Sequence, residues 1–202
     1  MNMEDSAGQT ILDQVKIYDN FFSIGDFRKI LTKLSESNWK WYQHVKEGQP
    51  HKFWQMDLLK DPVFNHDLMI TINQHLERPG KLFTIYGNGQ TFAQESLWHV
   101  DLPESYNGVE AYTILLYAHP EWDDLWGGRT FFKDEENDKI LTVEPVPNRC
   151  VIFPWYVPHY GEAPTRSTYE LRQTVAWKVI IDKTDGMGYT KRIPLNLNES
   201  AN

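Results

Sequence analysis

Between Gly80 and Ile181 the chain is cut into short apolar and β-branched runs by turn residues at close intervals, which limits its folds more than any other feature. LFTIYG (82–87), FAQESLWHV (92–100), EAYTILLYA (110–118), GRTFFK (128–133), KILTVEP (139–145), RCVIFP (149–154) and RQTVAWKVII (172–181) have the composition of strands. HYGEAP (159–164) adds a shorter one. GNG at 87–89, LPESYNG at 102–108, EEND at 135–138 and PVPN at 145–148 supply the turns between them. About eight strands so closely spaced predict a mainly β (α+β) chain built as a sandwich or double-sheet jelly roll.

The part before Gly80 reads differently. Residues 11–18 (ILDQVKIY) alternate as a first strand. Ser23 is a plausible N-cap, and Ile24, Phe27, Ile30, Leu31 and Leu34 fall at helical spacing, which predicts a helix over 24–37. KEGQPHK (46–52) reads as a loop. A second helix is predicted over 62–77, with Asp61 as cap, Pro62 in its first turn and Pro79-Gly80 ending it. The expectation is one domain: a helical N-terminal part over about 11–80 packed on one outer face, a core over about 81–181, and a polar tail over 182–202 that is either a loose end or an arm over the pocket.

The 202 residues carry a formal net charge of −8 and show no Lys/Arg run, so neither nucleic acid nor an anionic membrane surface is an expected partner. No apolar stretch approaches the roughly 20 residues of a membrane span, and MNMEDSAGQT lacks the pattern of a signal peptide. The default location is cytoplasmic. The lone Cys150, inside the apolar run Cys150-Val151-Ile152-Phe153, reads as a buried strand thiol.

Three segments carry chemistry. In Trp98-His99-Val100-Asp101, residues two apart on a strand point the same way, so His99 and Asp101 can offer an imidazole nitrogen and a carboxylate oxygen to one ion. Alone, a triplet this short is near chance. His159 follows a strong strand and stands between Pro158 and Gly161. Arg172 and Thr174 alternate in phase on the last strand; the guanidinium could grip a carboxylate and the hydroxyl add a donor. Two neutral imidazoles and one carboxylate leave open positions on a metal, the ligand set used for iron(II) and dioxygen chemistry.

In this order the segments resemble the iron(II)- and 2-oxoglutarate-dependent dioxygenases, in particular the prolyl 4-hydroxylase-like branch. Residues 86–101 (YGNGQTFAQESLWHVD) are similar to the family's tyrosine, glycine turn and H-x-D segment, and 113–123 (TILLYAHPEWD) to its "xxxYLNxxW" strand. Gly127-Gly128 match its paired glycines, EPVPNRCVIF (144–153) its "xxPxxGRxxxF" strand, and RQTVAWKV (172–179) its last core strand. The resemblance implies a double-stranded β-helix. It implies Fe(2+) ligation by His99, Asp101 and His159, 2-oxoglutarate and O2 as co-substrates, and leaves room for ascorbate. Arg172 would pair with the distal carboxylate of 2-oxoglutarate, Tyr117 would hydrogen-bond that carboxylate, and Tyr86 would lie near co-substrate and metal. The substrate would be a peptide, protein or small molecule, with a peptidyl proline as the leading expectation.

The chain departs from the family pattern at several points. His119 stands where the family has Asn and Asn148 where it often has Gly. The longer spacing from His159 to Arg172 makes Arg166 a rival anchor. His44, His51, His66 and His75 read as surface residues, and His119 as a loop residue. Trp98, Trp126 and Trp155 could line a cleft or pack in the core. Two other classes keep the fold without oxygenase turnover: a zinc-type hydrolase or isomerase, and a binding module.

Overall fold

A computed structural model describes residues 10–43, 52–101 and 109–181. Its strands are β1 (Lys16–Tyr18), β2 (Lys40–Gln43), β3 (Lys52–Asp57), β4 (Gly80–Gln90), β5 (Ala111–Tyr117), β6 (Thr130–Asp134), β7 (Lys139–Val143), β8 (Cys150–Pro154), β9 (His159–Gly161) and β10 (Arg172–Ile181). They form a seven-stranded sheet in the order β1-β8-β5-β10-β4-β3-β2 and a three-stranded sheet in the order β7-β6-β9, antiparallel throughout. Two antiparallel sheets, with the chain crossing between them at β5–β6, β7–β8, β8–β9 and β9–β10, make the jelly roll that the strand spacing predicts.

Strand β10 sits at the centre of the large sheet, between β4 and β5. Its side chains alternate between two environments. Val175, Trp177 and Val179 face the helices α1 (Ile24–Leu34) and α2 (Leu68–Asn73), packing with Ile30, Leu34, Phe64, Leu68 and Ile72. The Trp177 indole donates to the carbonyl of Phe64 at 3.0 Å. With that carbonyl diverted, the helix widens into a π turn over Val63–Asp67 before continuing as α2. Between the sheets lies a second cluster of Tyr117, Phe132, Val143, Val151, Phe153 and Val157.

Several expectations need correction. Only Lys16–Tyr18 of the first predicted strand pairs as a strand; Ile11–Gln14 is a 3₁₀ turn held by a Thr10–Asp13 capping box. Helix α1 begins as predicted, with the Ser23 hydroxyl accepting from the Asp26 amide, but stops at Leu34, whose carbonyl accepts the Trp39 indole N–H. The second helix opens on Asp61 and Pro62 as predicted and ends at Asn73, whose side chain takes the Gly80 amide. Residues 92–100 are not a strand. Ala93 has φ 63°, and the Gln94 side chain accepts the Thr91 amide, so a local turn replaces the ladder. The β2–β3 pair went unread; of the predicted loop 46–52, Lys52 opens β3 and the rest lies outside the described residues. Cys150 is a buried thiol, as expected.

Asn148 explains its own departure from glycine. It has φ 60°, a left-handed conformation that Gly or Asn adopts at least cost. Its carboxamide also acts as a strand edge: Oδ1 accepts the Phe22 amide at 3.1 Å, and Nδ2 donates to the Phe22 carbonyl at 2.8 Å. Phe22 is buried, so both backbone groups depend on this side chain. Asn148→Ala should cost about 3 kcal/mol or more, adding a left-handed alanine to two orphaned backbone groups, whereas Asn148→Gly should cost about 1 kcal/mol less. Denaturant midpoints should fall in the order wild type, Gly, Ala; equal midpoints for the two variants would remove the backbone argument.

Candidate functional site

The inward face of the large sheet carries the chemistry. Arg172, Thr174 and Lys178 point to one side of β10, where apolar residues would be the ordinary content of a central strand. Thr174 stands opposite Asn88 of β4 and Tyr117 of β5, and Lys178 opposite Thr84 and Thr113. Polar residues thus line a groove from Arg172 at one end to Lys178 at the other.

At the Lys178 end, His99, Asp101 and His159 bring one ligand atom each to within 4.8 Å of one another. His159 belongs to β9. His99 and Asp101 come from the irregular segment after the Thr91–Gln94 turn, pinned by a single β-bridge. The His99 amide donates to the His159 carbonyl at 3.0 Å, and the His159 amide returns the bond at 2.9 Å. The Asp101 amide donates to the Trp155 carbonyl at 2.8 Å. The expected geometry of the H-x-D triplet is therefore reached without a strand.

Hydrogen bonds fix both imidazoles. Nδ1 of His99 lies 2.8 Å from the Leu97 carbonyl, and Nδ1 of His159 lies 2.9 Å from the Val157 carbonyl. A carbonyl only accepts, so each Nδ1 carries a proton, and Nε2 is the nitrogen that each ring can offer to a metal. Both Nε2 atoms approach Asp101, at 3.8 Å from Oδ1 for His99 and 3.8 Å from Oδ2 for His159. Burial pushes the His159 pKa down to about 4, which keeps that ring neutral near pH 7. Two imidazole nitrogens and one carboxylate, the rings oriented by carbonyls behind them, suit a divalent transition metal. His99 is exposed and His159 buried, so the cluster sits at the groove mouth.

Asp101 is a carboxylate. Burial pushes its pKa up, but the Lys178 ammonium, with His159 and His99 adding, outweighs that and holds it well below the usual range. Lys178 Nζ is 2.7 Å from Oδ1, and the Thr113 hydroxyl donates to Oδ2 at 2.6 Å. Burial lowers the Lys178 pKa and Asp101 more than reverses this. Nζ also lies 5.5 Å from the ring centre of Tyr86, which lines the same end. Lys178 and Thr113 escaped sequence reading; their signal is phase, since Lys178 continues the inward series of Arg172 and Thr174.

Arg172 is 3% exposed, yet no described carboxylate pairs with it. Its Nε donates to the Gly128 carbonyl at 2.6 Å, one terminal nitrogen to Gln90 Oε1 at 2.6 Å, and the other to Thr130 Oγ1 at 3.0 Å. Glu162 is engaged with Arg129 instead. Three of the five guanidinium N–H groups donate to neutral oxygens and the Tyr117 hydroxyl also interacts with the fork, so the donor set exceeds the described acceptors around it by at least one. A buried cation without a counter-charge costs several kcal/mol, so this end of the groove is built for an anion. Gly128, at φ 79°, makes room: a Cβ there would lie 3.1 Å from Arg172 Cδ. The Tyr117 hydroxyl donates to Thr130 Oγ1 at 2.7 Å, behind the guanidinium. Along β9, Gly161 beside Arg172 and His159 at the metal end are two residues apart, roughly 6.5 Å.

Arg166 is exposed and stacks on Phe92, 4.8 Å from its ring centre, whereas Arg172 is buried. Trp155 is buried against Phe83, and Trp98 lies outside against Tyr160. His66 is on the surface. His75, expected there too, is half-buried against Tyr18 and Phe21 because its ring caps the Thr71 carbonyl. His44 and His51 lie outside the described residues.

Residues 82–177 match the sequence model of the 2OG-Fe(II) oxygenase superfamily. No protein of curated function matches by sequence. Among solved structures, the fold is similar to a prolyl hydroxylase from Trichoplax adhaerens, in complex with a hypoxia inducible factor peptide, at TM-score 0.65 and 16% identity over 85% of this chain and 86% of that one. A Pseudomonas putida prolyl-4-hydroxylase gives 0.61 and 16% over 84% and 93%. HygX from Streptomyces hygroscopicus, with nickel, 2-oxoglutarate and hygromycin B bound, gives 0.61 and 12% over 84% of each chain. At these identities the likeness is one of fold.

His119, just past β5, is 3% exposed. Burial, with the Arg172 charge adding, pushes its pKa from the ordinary 6.5 down to about 3. Between those values the unfolded chain binds a proton that the folded chain refuses, so stability falls as pH drops through 6.5 towards 3. Between pH 7 and pH 5 the ligand-free protein should lose about 2 kcal/mol through this one group. A His119→Leu variant should lose about that much less over the same interval in denaturant titrations; parallel losses would show that the buried ring is protonated in the folded state.

Proposed function

We propose that this chain, whose residues 82–177 match the 2OG-Fe(II) oxygenase superfamily, is a 2-oxoglutarate-dependent dioxygenase in which His99, Asp101 and His159 hold the iron, Arg172 anchors the far carboxylate of 2-oxoglutarate, and the substrate is a prolyl residue in a peptide or protein. The observation that carries the site assignment is the buried, uncompensated guanidinium of Arg172 in the same groove as the His/Asp/His cluster. A metal at one end and an anion at the other suit a short oxo-diacid lying between them.

Bound iron(II) would activate O2, the oxidant, with 2-oxoglutarate giving up two electrons as it becomes succinate and CO2 and the unactivated C–H of the substrate giving up the other two. The chain's own residues supply position. Leu97 and Val157 carbonyls hold the two rings with Nε2 forward. Lys178 and Thr113 fix both oxygens of Asp101, so its carboxylate meets a metal in a set orientation. Gln90, Thr130 and the Gly128 carbonyl lock the Arg172 fork, and Tyr117 braces Thr130. Thr174 lines the floor between the two ends. The exposed edge at His99 leaves access for a chain-like substrate. The prolyl assignment is supported by the likeness to two prolyl hydroxylases.

Anaerobic iron(II) with 2-oxoglutarate should give a weak visible charge-transfer band that His99→Ala abolishes. Arg172→Gln should raise the 2-oxoglutarate concentration for half-saturation by about 100-fold or more, the loss expected for a charge-assisted bidentate contact. A wild type without the band, or a band that survives in His99→Ala, would sink the site assignment. In a succinate-release screen over proline-rich peptides, free amino acids and nucleic acids, the peptides should be turned over best. Release confined to free amino acids or other small molecules would leave an oxygenase and remove the prolyl substrate.

A further inference from the structure

We propose that His119 forms the far wall of the co-substrate pocket and hydrogen-bonds the distal carboxylate of 2-oxoglutarate beside Arg172. This rests on the oxo-acid reading of Arg172. His119 stands where the sequence pattern has asparagine, and three features of its surroundings point to a ligand.

The first is strand phase. Thr113, Leu115 and Tyr117 of β5 alternate towards the groove, and His119 is the next position in that series. The Ala118 amide donates to the Gln173 carbonyl at 2.9 Å, so the ladder carries on past the end of β5 and keeps the phase. The second is hydrogen bonding. Both ring nitrogens of His119 are buried without a partner among the described residues, in a side chain 3% exposed. Buried polar atoms are left unpaired only rarely, so two on one ring call for an occupant.

The third is orientation. The ring stacks on Trp122, 4.3 Å between centres and 26° between planes. Trp122 is itself fixed, its indole N–H donating to the Gly127 carbonyl at 2.9 Å. Trp122 and Arg172 meet across Gly128, where a Cβ would lie 3.2 Å from Trp122 Cζ2 and 3.3 Å from Arg172 Nε. Arg172 Cζ is 5.5 Å from the Tyr117 ring centre, and the His119 ring is 6.3 Å from it on the same side of the sheet. The His119 ring and the Arg172 guanidinium thus border the same Tyr117 ring, and a neutral imidazole has one N–H to give a ligand there. A carboxylate, which accepts at two oxygens, suits a ring N–H beside a guanidinium.

The test compares His119→Leu, which removes both nitrogens at similar volume, with His119→Asn, which returns a short donor. Anaerobic titration of the iron(II) protein with 2-oxoglutarate gives its dissociation constant from the charge-transfer band. Iron(II) affinity without 2-oxoglutarate and the melting temperature of the metal-free protein are measured alongside. The Leu variant should bind 2-oxoglutarate about tenfold more weakly or worse, with Asn recovering part of the loss. Iron affinity should hold, and the metal-free melting temperature at pH 7.5 should hold or rise, because an orphaned polar ring has been removed. A merely structural histidine would instead lower the melting temperature and leave the 2-oxoglutarate constant alone, and that result overturns the proposal. If wild type binds 2-oxoglutarate and both variants match it, the oxo-acid site stands and the His119 role falls; if wild type shows no binding, both fall.

Discussion

The structure depends on one constraint: the central strand β10 must serve two faces that want opposite chemistry. Its outward residues, Val175, Trp177 and Val179, fasten the helices to the large sheet. Its inward residues, Arg172, Thr174 and Lys178, line a polar groove where a sandwich would ordinarily close on apolar side chains. A side-chain period of two keeps both sets in place, and a slip of one residue would put charges under the helices and a tryptophan in the groove. The pairing on both sides of β10, over ten positions with β4 and seven with β5, makes that slip costly.

The two cations on this strand are handled differently. Lys178 is neutralised by Asp101 at 2.7 Å, so its burial is compensated within the protein. Arg172 donates only to neutral oxygens, and the carboxylate whose charge reaches it, Glu162, is engaged with Arg129. Nothing in folding requires a guanidinium there; an apolar residue would serve the sheet at lower cost. The groove thus carries a fixed electrostatic gradient, compensated at the metal end and unbalanced at the arginine end. That asymmetry gives an anionic ligand a direction as well as a place.

Much of this was legible in the sequence. The jelly roll followed from turn-punctuated strands, and β10 was read to the residue because its two periodicities, apolar outward and polar inward, reinforce one another. The His/Asp/His cluster was legible from order rather than from any single triplet. What escaped has common causes. The segment 92–100 has the composition of a strand, but a left-handed Ala93 and a side-chain bond from Gln94 turn it aside, and such local competition has little periodic signature. Lys178, Thr113, Gln90 and Thr130 act through partners distant in sequence, and only the register reveals them. The unpaired nitrogens of His119 are likewise a property of the packed state, invisible in Ala-His-Pro-Glu.

The turn that spoiled the strand at 92–100 has a further consequence. The segment bearing His99 and Asp101 is joined to β9 by the single bridge at His159 and by the Ser96–Gly161 contacts, and to the end of β8 by one amide. An ion shared by His99, Asp101 and His159 is then, to the polypeptide, a cross-link between stretches far apart in the chain. It would stand in for the rungs that a fourth strand of the small sheet would have contributed. In such an arrangement loading the metal completes the sheet, and the shape of the groove mouth becomes a property of the loaded protein rather than of the chain alone.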